Sequence, residues 1–222
     1  MDLLQAIRER HSVRAYTAQK IEAEKRQDLD ALIAQCNADG NLHIQIKYDD
    51  PDGFDSRLAH YGNFRNVNNY IILAGKSSDT LAERCGYYGE RIVLEAQRMG
   101  LNTCWTALTF HKRNVKRWIS PGEKLVLVIA IGYGETQGIQ HRSKPLASVV
   151  ETESGLPDWF RKGAEAALLA PTAINQQKFK MSLNDGKPVI RIAGRGPYTK
   201  IDLGIVKYHF EVASGHKVDW EE

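Results

Sequence analysis

Three blocks of residues recur in the same order along the chain, and this repeat constrains the fold more than any other feature. Ala31-Leu32-Ile33-Ala34 matches Ala167-Leu168-Leu169-Ala170, each closing a helical pattern ahead of a turn and a strand. Ile71-Ile72-Leu73-Ala74-Gly75 matches Ile190-Arg191-Ile192-Ala193-Gly194, and Gly89 to Gly100 matches Gly204 to Gly215. One such match is what any chain with several helix-turn-strand units yields by chance. Three in register order predict a duplication whose second copy has shorter connections.

The periodicity between these blocks predicts an α+β fold. Helical patterns cover residues 2–10, 22–36, 80–99, 157–169 and 201–214, with one or two further turns at 113–118. The run Asn37-Ala38-Asp39-Gly40-Asn41 predicts a turn, and strands are expected at 42–48, 70–74, 103–109, 124–133, 178–183 and 189–193. Residues 50–69 and 134–153 are polar connections. The natural division places a first repeat at 1–150 and a shortened second repeat at 151–222, packed as one unit.

Composition excludes several classes. Lys+Arg number 30 against 27 Asp+Glu, a net charge of +3 spread without basic runs, which gives no footprint for nucleic acid. The longest apolar stretch, Leu125 to Ile131, is strand-sized, so no membrane span is expected. The opening Met1-Asp2-Leu3 soon turns polar and shows no signal peptide. Cys36, Cys85 and Cys104 form no C-x-x-C pair and are expected as thiols in a reducing cytoplasm. The histidines (11, 43, 60, 111, 141, 209, 216) show no metal-ligand spacing, and no metal is expected. Phosphate-loop, dinucleotide-loop and nucleophile-elbow motifs are missing.

Four segments carry candidate chemistry. Arg10-His11-Ser12-Val13-Arg14 sets two guanidiniums and a hydroxyl within five residues. In an extended segment residues 10, 12 and 14 share a face, a compact anion site, the alternative being a solvated basic turn. His141-Arg142-Ser143-Lys144-Pro145 is a basic loop after a strand that could close over the same anion. Ala170 to Gln177 (A-P-T-A-I-N-Q-Q) gathers amides and a hydroxyl suited to a flat polar heterocycle, or to plain helix capping. Gly100 to Trp105 (G-L-N-T-C-W) runs from a helix end into an apolar strand, with Cys104 and Trp105 expected in the core.

Together these segments resemble the FMN-dependent nitroreductase family. Ala6 to Arg14 is similar to its N-terminal flavin-phosphate motif, and Gly89 to Trp105 to its central helix and following strand. Ile131 to Glu135 with Arg142 to Pro145 resembles its closing strand and basic loop, and Ala170 to Gln177 its flavin-ring segment. In ordinary members the ring segment lies shortly after the Arg-Ser motif. Here that place holds Ala34 to Asn41, and the intact segment sits in the second repeat. The chain thus resembles the tandem-repeat nitroreductase subfamily, in which two repeats mimic the family's homodimer. Lys178-Phe179 stands where Pro-Trp is usual.

The resemblance implies FMN as cofactor, with Arg10 and Ser12 at the phosphate, His11 among the cofactor-binding residues, Arg142 and Lys144 adding charge, and Arg14 at the pyrimidine edge. Backbone groups of Ala107 and Leu108 would meet N5. Pro171, Thr172, Ala173, Asn175 and Gln177 would line the ring. No catalytic side chain is implied, because the flavin carries the chemistry. The implied activity is NADH- or NADPH-dependent reduction of nitro compounds, quinones or similar small-molecule acceptors, the alternative being a non-catalytic FMN-binding or storage module. A monomeric pseudo-dimer is expected, with a homodimer as the competing arrangement.

Overall fold

The apolar runs beginning at Tyr70 and Lys124 form the two inner strands of an antiparallel sheet. The computed structural model describes residues 1–151 and 155–220. The described residues form, in order, α1 (Leu3–Glu9), α2 (Ala23–Gly40), β1 (Gln45–Lys47), α3 (Arg57–Tyr61), β2 (Tyr70–Lys76), α4 (Leu81–Arg98), β3 (Asn102–Thr106), α5 (Lys112–Lys116), β4 (Glu123–Gly132), α6 (Asp158–Ala167), β5 (Phe179–Asn184), β6 (Lys187–Ile192) and α7 (Thr199–Ser214). The mixture of helix and sheet is the α+β class that the periodicity predicts.

The elements divide into two compact units that interleave in sequence, where the repeat pattern cut the chain once at 150. One contains residues 10–81 and 92–140, the other residues 1–9, 82–91 and 141–222. The polar connection expected to end at Glu153 has its last two residues, Thr152 and Glu153, outside the described residues.

The first unit is built on a sheet of order β1-β2-β4-β3. All its neighbours run antiparallel, with Tyr70 opposite Ala130, Ile46 opposite Ile71 and Cys104 opposite Ala130. β2 is buried from Tyr70 to Gly75 and β4 from Leu127 to Gly132 except for minor exposure, which is why both read as unbroken apolar runs. On one side of the sheet Phe54, Phe64, Val67, Tyr70, Val128 and Val13 form a continuous core.

α2 runs four residues further than the turn signal at 37–41 predicts. Asn37 accounts for the difference. Its side-chain amide donates to Ile44 O at 2.9 Å and accepts from Ile44 N–H at 2.6 Å, doing for the next segment what a turn would do. The helix then stops at Asn41, whose left-handed backbone returns its N–H to Asn37 O.

In the second unit α6 packs on α7, with Phe160 and Phe210 edge to face at 5.3 Å. β5 and β6 form a hairpin whose two-residue turn, Asp185-Gly186, has both residues left-handed, as the twist of a tight hairpin requires. The first half of α4 meets α7 backbone to backbone. A Cβ on Gly204 would lie 1.9 Å from Glu83 O, and one on Gly86 would lie 2.1 Å from Ile201 O. Buried polar pairs flank this contact: Lys207 with Glu83 at 2.7 Å, His209 Nε2 with Glu90 at 2.8 Å, and Tyr87 OH donating to Glu211 at 2.6 Å. His209 Nδ1 faces the Ala166 carbonyl at 3.1 Å. A carbonyl only accepts, so Nδ1 carries a proton, and the Nε2 contact with Glu90 holds one more.

Two of the three matched block pairs fall in matching element types, on β2 with the end of β6 and on α4 with α7, whereas Ala31–Ala34 lies inside α2 and only Ala167 of its counterpart belongs to α6. Their settings differ, β2 lying inside the four-stranded sheet and β6 in the hairpin.

The crossing at Gly204 leaves no room for one added methyl group, and the obstruction is backbone rather than a movable side chain. Gly204→Ala is therefore expected to destabilise the fold by about 3 kcal/mol or more. Urea unfolding measures this; a loss below about 1 kcal/mol would mean that the helices are not locked at this point.

Candidate functional site

The Arg10 to Arg14 segment leaves α1 and is stitched into the sheet unit bond by bond. Val13 N–H donates to Thr103 O at 3.0 Å, Arg65 N–H to Arg14 O at 3.0 Å, Tyr16 N–H to Arg65 O at 3.1 Å, and Glu135 N–H to Ala15 O at 2.9 Å. Tyr16 OH returns to Val13 O at 2.7 Å. The alternation that would set residues 10, 12 and 14 on one face is realised at graded depth. Arg10 is buried, Ser12 half-buried and Arg14 exposed, while Val13 and Tyr16 enter the core.

All three residues influence the Cys104 thiol on β3. Burial pushes that thiol up, while the charge of Arg14, a hydrogen bond with Ser12 and the charge of Arg10 pull it down. The burial effect is the larger, so Cys104 is a neutral thiol that feels the charge of Arg14 and Arg10 and a hydrogen bond with Ser12. That is a core role for Cys104 in a cationic setting. Thr103, the residue bridged to Ser12, has its Oγ1 buried with no hydrogen-bond partner among the described residues.

His11 is half-buried against Gly138. A Cβ at Gly138 would approach the His11 Cβ to 2.8 Å and Ser12 O to 3.1 Å, and the backbone there is left-handed at φ 75°. Ala107 and Leu108 lie in the bend after β3, the first half-buried and the second 71% exposed. Elsewhere in this unit Phe54, Phe64, Val67 and the exposed Arg65–Glu135 pair line a cleft of about 400 Å³.

The basic loop and the ring-type turn, separate in sequence, form one hydrogen-bonded body in the other unit. Gln177 is 2% exposed, and its amide is spent inside the protein. Its Oε1 accepts from Lys144 N–H at 2.8 Å, and its Nε2 donates to Arg142 O at 2.9 Å and to Asn175 Oδ1 at 2.7 Å. Asn175 Nδ2 also donates to Arg142 O at 2.9 Å, and Thr172 Oγ1 accepts from Gln177 N–H at 3.0 Å. The Lys144 ammonium donates to the carbonyls of Gln176 and Gln177 at 2.8 and 2.9 Å. His141 and Ser143 both bond Leu168 O at 3.0 Å, which ties the loop to the end of α6. Arg142, whose backbone carbonyl anchors this network, is exposed. Pro171, Thr172 and Ala173 are half-buried.

The turn itself is strained. Ile174, Asn175 and Gln177 have φ of 48°, 55° and 44°. A β-branched residue in the left-handed region costs about 1–2 kcal/mol. Ile174 is nevertheless held there with its side chain 88% exposed.

Sequence reasoning missed Asp202, in the first turn of α7. It is 6% exposed, and its carboxylate accepts from Ala173 N–H at 2.9 Å and from Gln176 Nε2 at 2.7 Å. Burial pushes this carboxyl up to about 6 against the opposing pull of those two hydrogen bonds. Its one visible signal is a lone acid in the otherwise apolar run Ile201 to Val206.

Among the described residues no group of His, Cys, Asp and Glu is arranged to hold a metal, and no helix is long and apolar enough to cross a membrane. Cys36, Cys85 and Cys104 are buried thiols.

Comparison with known proteins gives a consistent answer. A crystal structure described as a putative nitroreductase (tm1586) from Thermotoga maritima superposes with a TM-score of 0.69 at 25% identity, covering 96% of this chain and 83% of that one. A putative nitroreductase in complex with FMN from Desulfovibrio desulfuricans shares the fold, with a TM-score of 0.52 at 19% identity over 71% of this chain and 99% of that one. A putative NADH oxidase from Clostridium acetobutylicum superposes with a TM-score of 0.50 at 24% identity, covering 63% of this chain and 94% of the other. No curated protein sequence matches. The family described as "Putative TM nitroreductase" matches residues 2–214. With that match over nearly its whole length, the chain belongs to this nitroreductase family.

Proposed function

We propose that the protein is an FMN-dependent oxidoreductase that takes hydride from NADH or NADPH and passes it to nitro compounds, quinones or similar small acceptors. The observation that carries this reading is the docking of the Arg10–Arg14 segment along β3, which sets Ser12 beside Thr103 with Arg10 buried. Family membership supports it, and the Desulfovibrio desulfuricans relative was solved with FMN.

The donor set fits a phosphate monoester. Two guanidiniums supply charge and paired N–H donors, the Ser12 hydroxyl adds a third contact, and the buried Thr103 hydroxyl beside them has hydrogen-bonding capacity to spare. In this reading Arg10 and Ser12 hold the phosphate. Lys144 works differently from the simple cation that the sequence suggests: its ammonium, spent on two carbonyls, shapes the turn. Gln177 likewise supports the turn from inside, leaving Thr172 and Asn175 nearer its surface.

FMN, when bound, supplies the capacity to accept and donate hydride. The chain's own residues bind and orient it. Arg14 supplies a fixed positive charge that favours the extra negative charge of a reduced cofactor. No side chain is required as acid or base, since solvent can supply the proton. The direct test is an absorbance spectrum of the purified protein followed by NADH and NADPH oxidation with a nitroaromatic or quinone acceptor. Bound flavin with no turnover would favour the FMN-storage alternative, and a colourless protein that ignores added FMN would overturn the reading.

The two arginines should fail differently. Arg10→Ala is expected to weaken FMN binding by about 1.5–3 kcal/mol, roughly 10- to 100-fold in Kd, because a charge-assisted phosphate contact is lost. Arg14→Ala should retain more FMN but lower its midpoint potential and slow reduction by NAD(P)H. Fluorescence titration and potentiometry of both variants check this; parental binding in both would overturn the assignment.

The chain carries one Arg-Ser-Arg motif and one Pro-Thr-Ala-Ile-Asn-Gln-Gln segment, so it holds the parts for one FMN. One flavin per 25.0 kDa chain is the expected stoichiometry. Light scattering on the loaded protein decides between a monomer that retains flavin and a homodimer that loses it on dissociation.

A further inference from the structure

β3 opens with two neighbouring residues that serve the Arg10 to Arg14 segment in different ways. Thr103 holds it through the backbone: its carbonyl accepts from Val13 N–H at 3.0 Å, with Ser12 alongside. Asn102, one residue earlier, reaches the connection that leaves β4. Its Oδ1 accepts from Gly134 N–H at 3.0 Å, and its Nδ2 donates to Gln137 Oε1 at 3.0 Å. One side chain, 2% exposed, therefore ties two points of that connection to the strand on which the segment is docked.

The connection covers the other edge of the segment. In an extended chain the groups of successive residues point to opposite edges, so with Val13 N–H on Thr103 the Ser12 carbonyl faces away from β3. That is where Gly138 lies: a Cβ on it would come within 2.8 Å of His11 Cβ, 3.1 Å of Ser12 O and 3.3 Å of Val13 Cγ2. Further along, main-chain bonds join the two, Glu135 N–H to Ala15 O at 2.9 Å and Thr17 N–H to Tyr133 O at 2.8 Å. Gly134 marks the junction. A Cβ there would lie 2.8 Å from both Asn102 Oδ1 and Val13 Cγ1, and 2.5 Å from Thr136 O. Close packing of this kind transmits position only while the covering chain is itself held, and over residues 134–137 Asn102 holds it.

We propose that Asn102 is a positioning residue of the anion anchor: it holds the connection after β4 against His11 and Ser12, so that the segment is gripped on both edges and Ser12 and Arg10 keep the placement that a phosphate monoester needs. The benefit to a phosphate rests on the flavin reading; the grip does not. Donors that share one small anion must be held to within about 0.5 Å by the groups behind them, and a rigid strand does this better than a free loop. β3 supplies that support twice, through the main chain of Thr103 and the side chain of Asn102. All of these groups lie within the sheet unit that carries Arg10, Ser12 and Arg14. The polar residue in the G-L-N-T-C-W segment thus has a task that a strand entry alone does not require.

Two variants of the full chain test this. Asn102→Ala removes both bonds, while Gln137→Ala, at an exposed position, removes only the outer one and is expected to fold. In flavin-free protein, hydrogen exchange at Val13 N–H should accelerate about tenfold more than at the β2 amides in Asn102→Ala, and about threefold more in Gln137→Ala. In FMN titrations Kd should rise about tenfold and about threefold respectively. An Asn102 that merely stabilises the fold would lower the melting temperature and move neither reading. Comparison with Ser12→Ala separates the two roles further. If Asn102 acts through the segment, its effect on Kd should shrink to about twofold or less in the Asn102→Ala, Ser12→Ala double variant. Val13 exchange that rises only in step with β2, a Kd unchanged in both single variants, or effects that multiply fully in the double variant would each overturn the proposal. Should Asn102→Ala not fold, Gln137→Ala decides both measurements. Failure of the parent to bind FMN would defeat the flavin reading, and the exchange comparison would then decide the grip without flavin.

Discussion

The backbone contact between α4 and α7 sets the position of everything in the second unit. With Gly86 against Ile201 O and Gly204 against Glu83 O, neither helix can slide without a collision of main-chain atoms. Two consequences follow along α7. Toward its start, Asp202 is delivered to Ala173 and Gln176. Further along, Lys207, His209 and Glu211 are delivered to Glu83, Glu90 and Tyr87. Such buried pairs add little net stability over an apolar interior, but separating one leaves an uncompensated charge, so they penalise any other register of the two helices.

The order and type of the elements were largely legible, because the relevant signals are local. Gly100 ends the helical run that starts after Thr80, and the unbroken apolar run from Leu125 announces a strand covered on both faces. The boundary at 37–41 misled because Asn37 is a turn residue by composition and a bridging side chain in fact. Its partner, Ile44, is what decides between the two, and a propensity argument does not weigh it.

The candidate site was legible as residues and less so as connections. The Arg10, Ser12 and Arg14 triplet stands out by spacing, and the structure lays its segment beside Thr103 on β3. For the turn the sequence points to amides and assigns them outward roles. Gln177 is instead a buried brace and Lys144 a clamp on carbonyls. Asp202 was invisible because its meaning depends on a helix that arrives 29 residues after Ala173. A lone acid in an apolar run becomes informative only when the groups it faces are known.

The way Ser12 and Val13 attach to Thr103 bears on how the protein behaves when this attachment fails. β3 is the last strand of its sheet, and its outer side would otherwise offer unpaired main-chain groups to any extended peptide. The segment that closes this side is the one that carries Arg10, Ser12 and Arg14. Damage to its backbone docking therefore uncovers a strand able to template pairing with a neighbouring molecule. In this chain the residues proposed to grip an anionic ligand also shield a sheet edge from self-association.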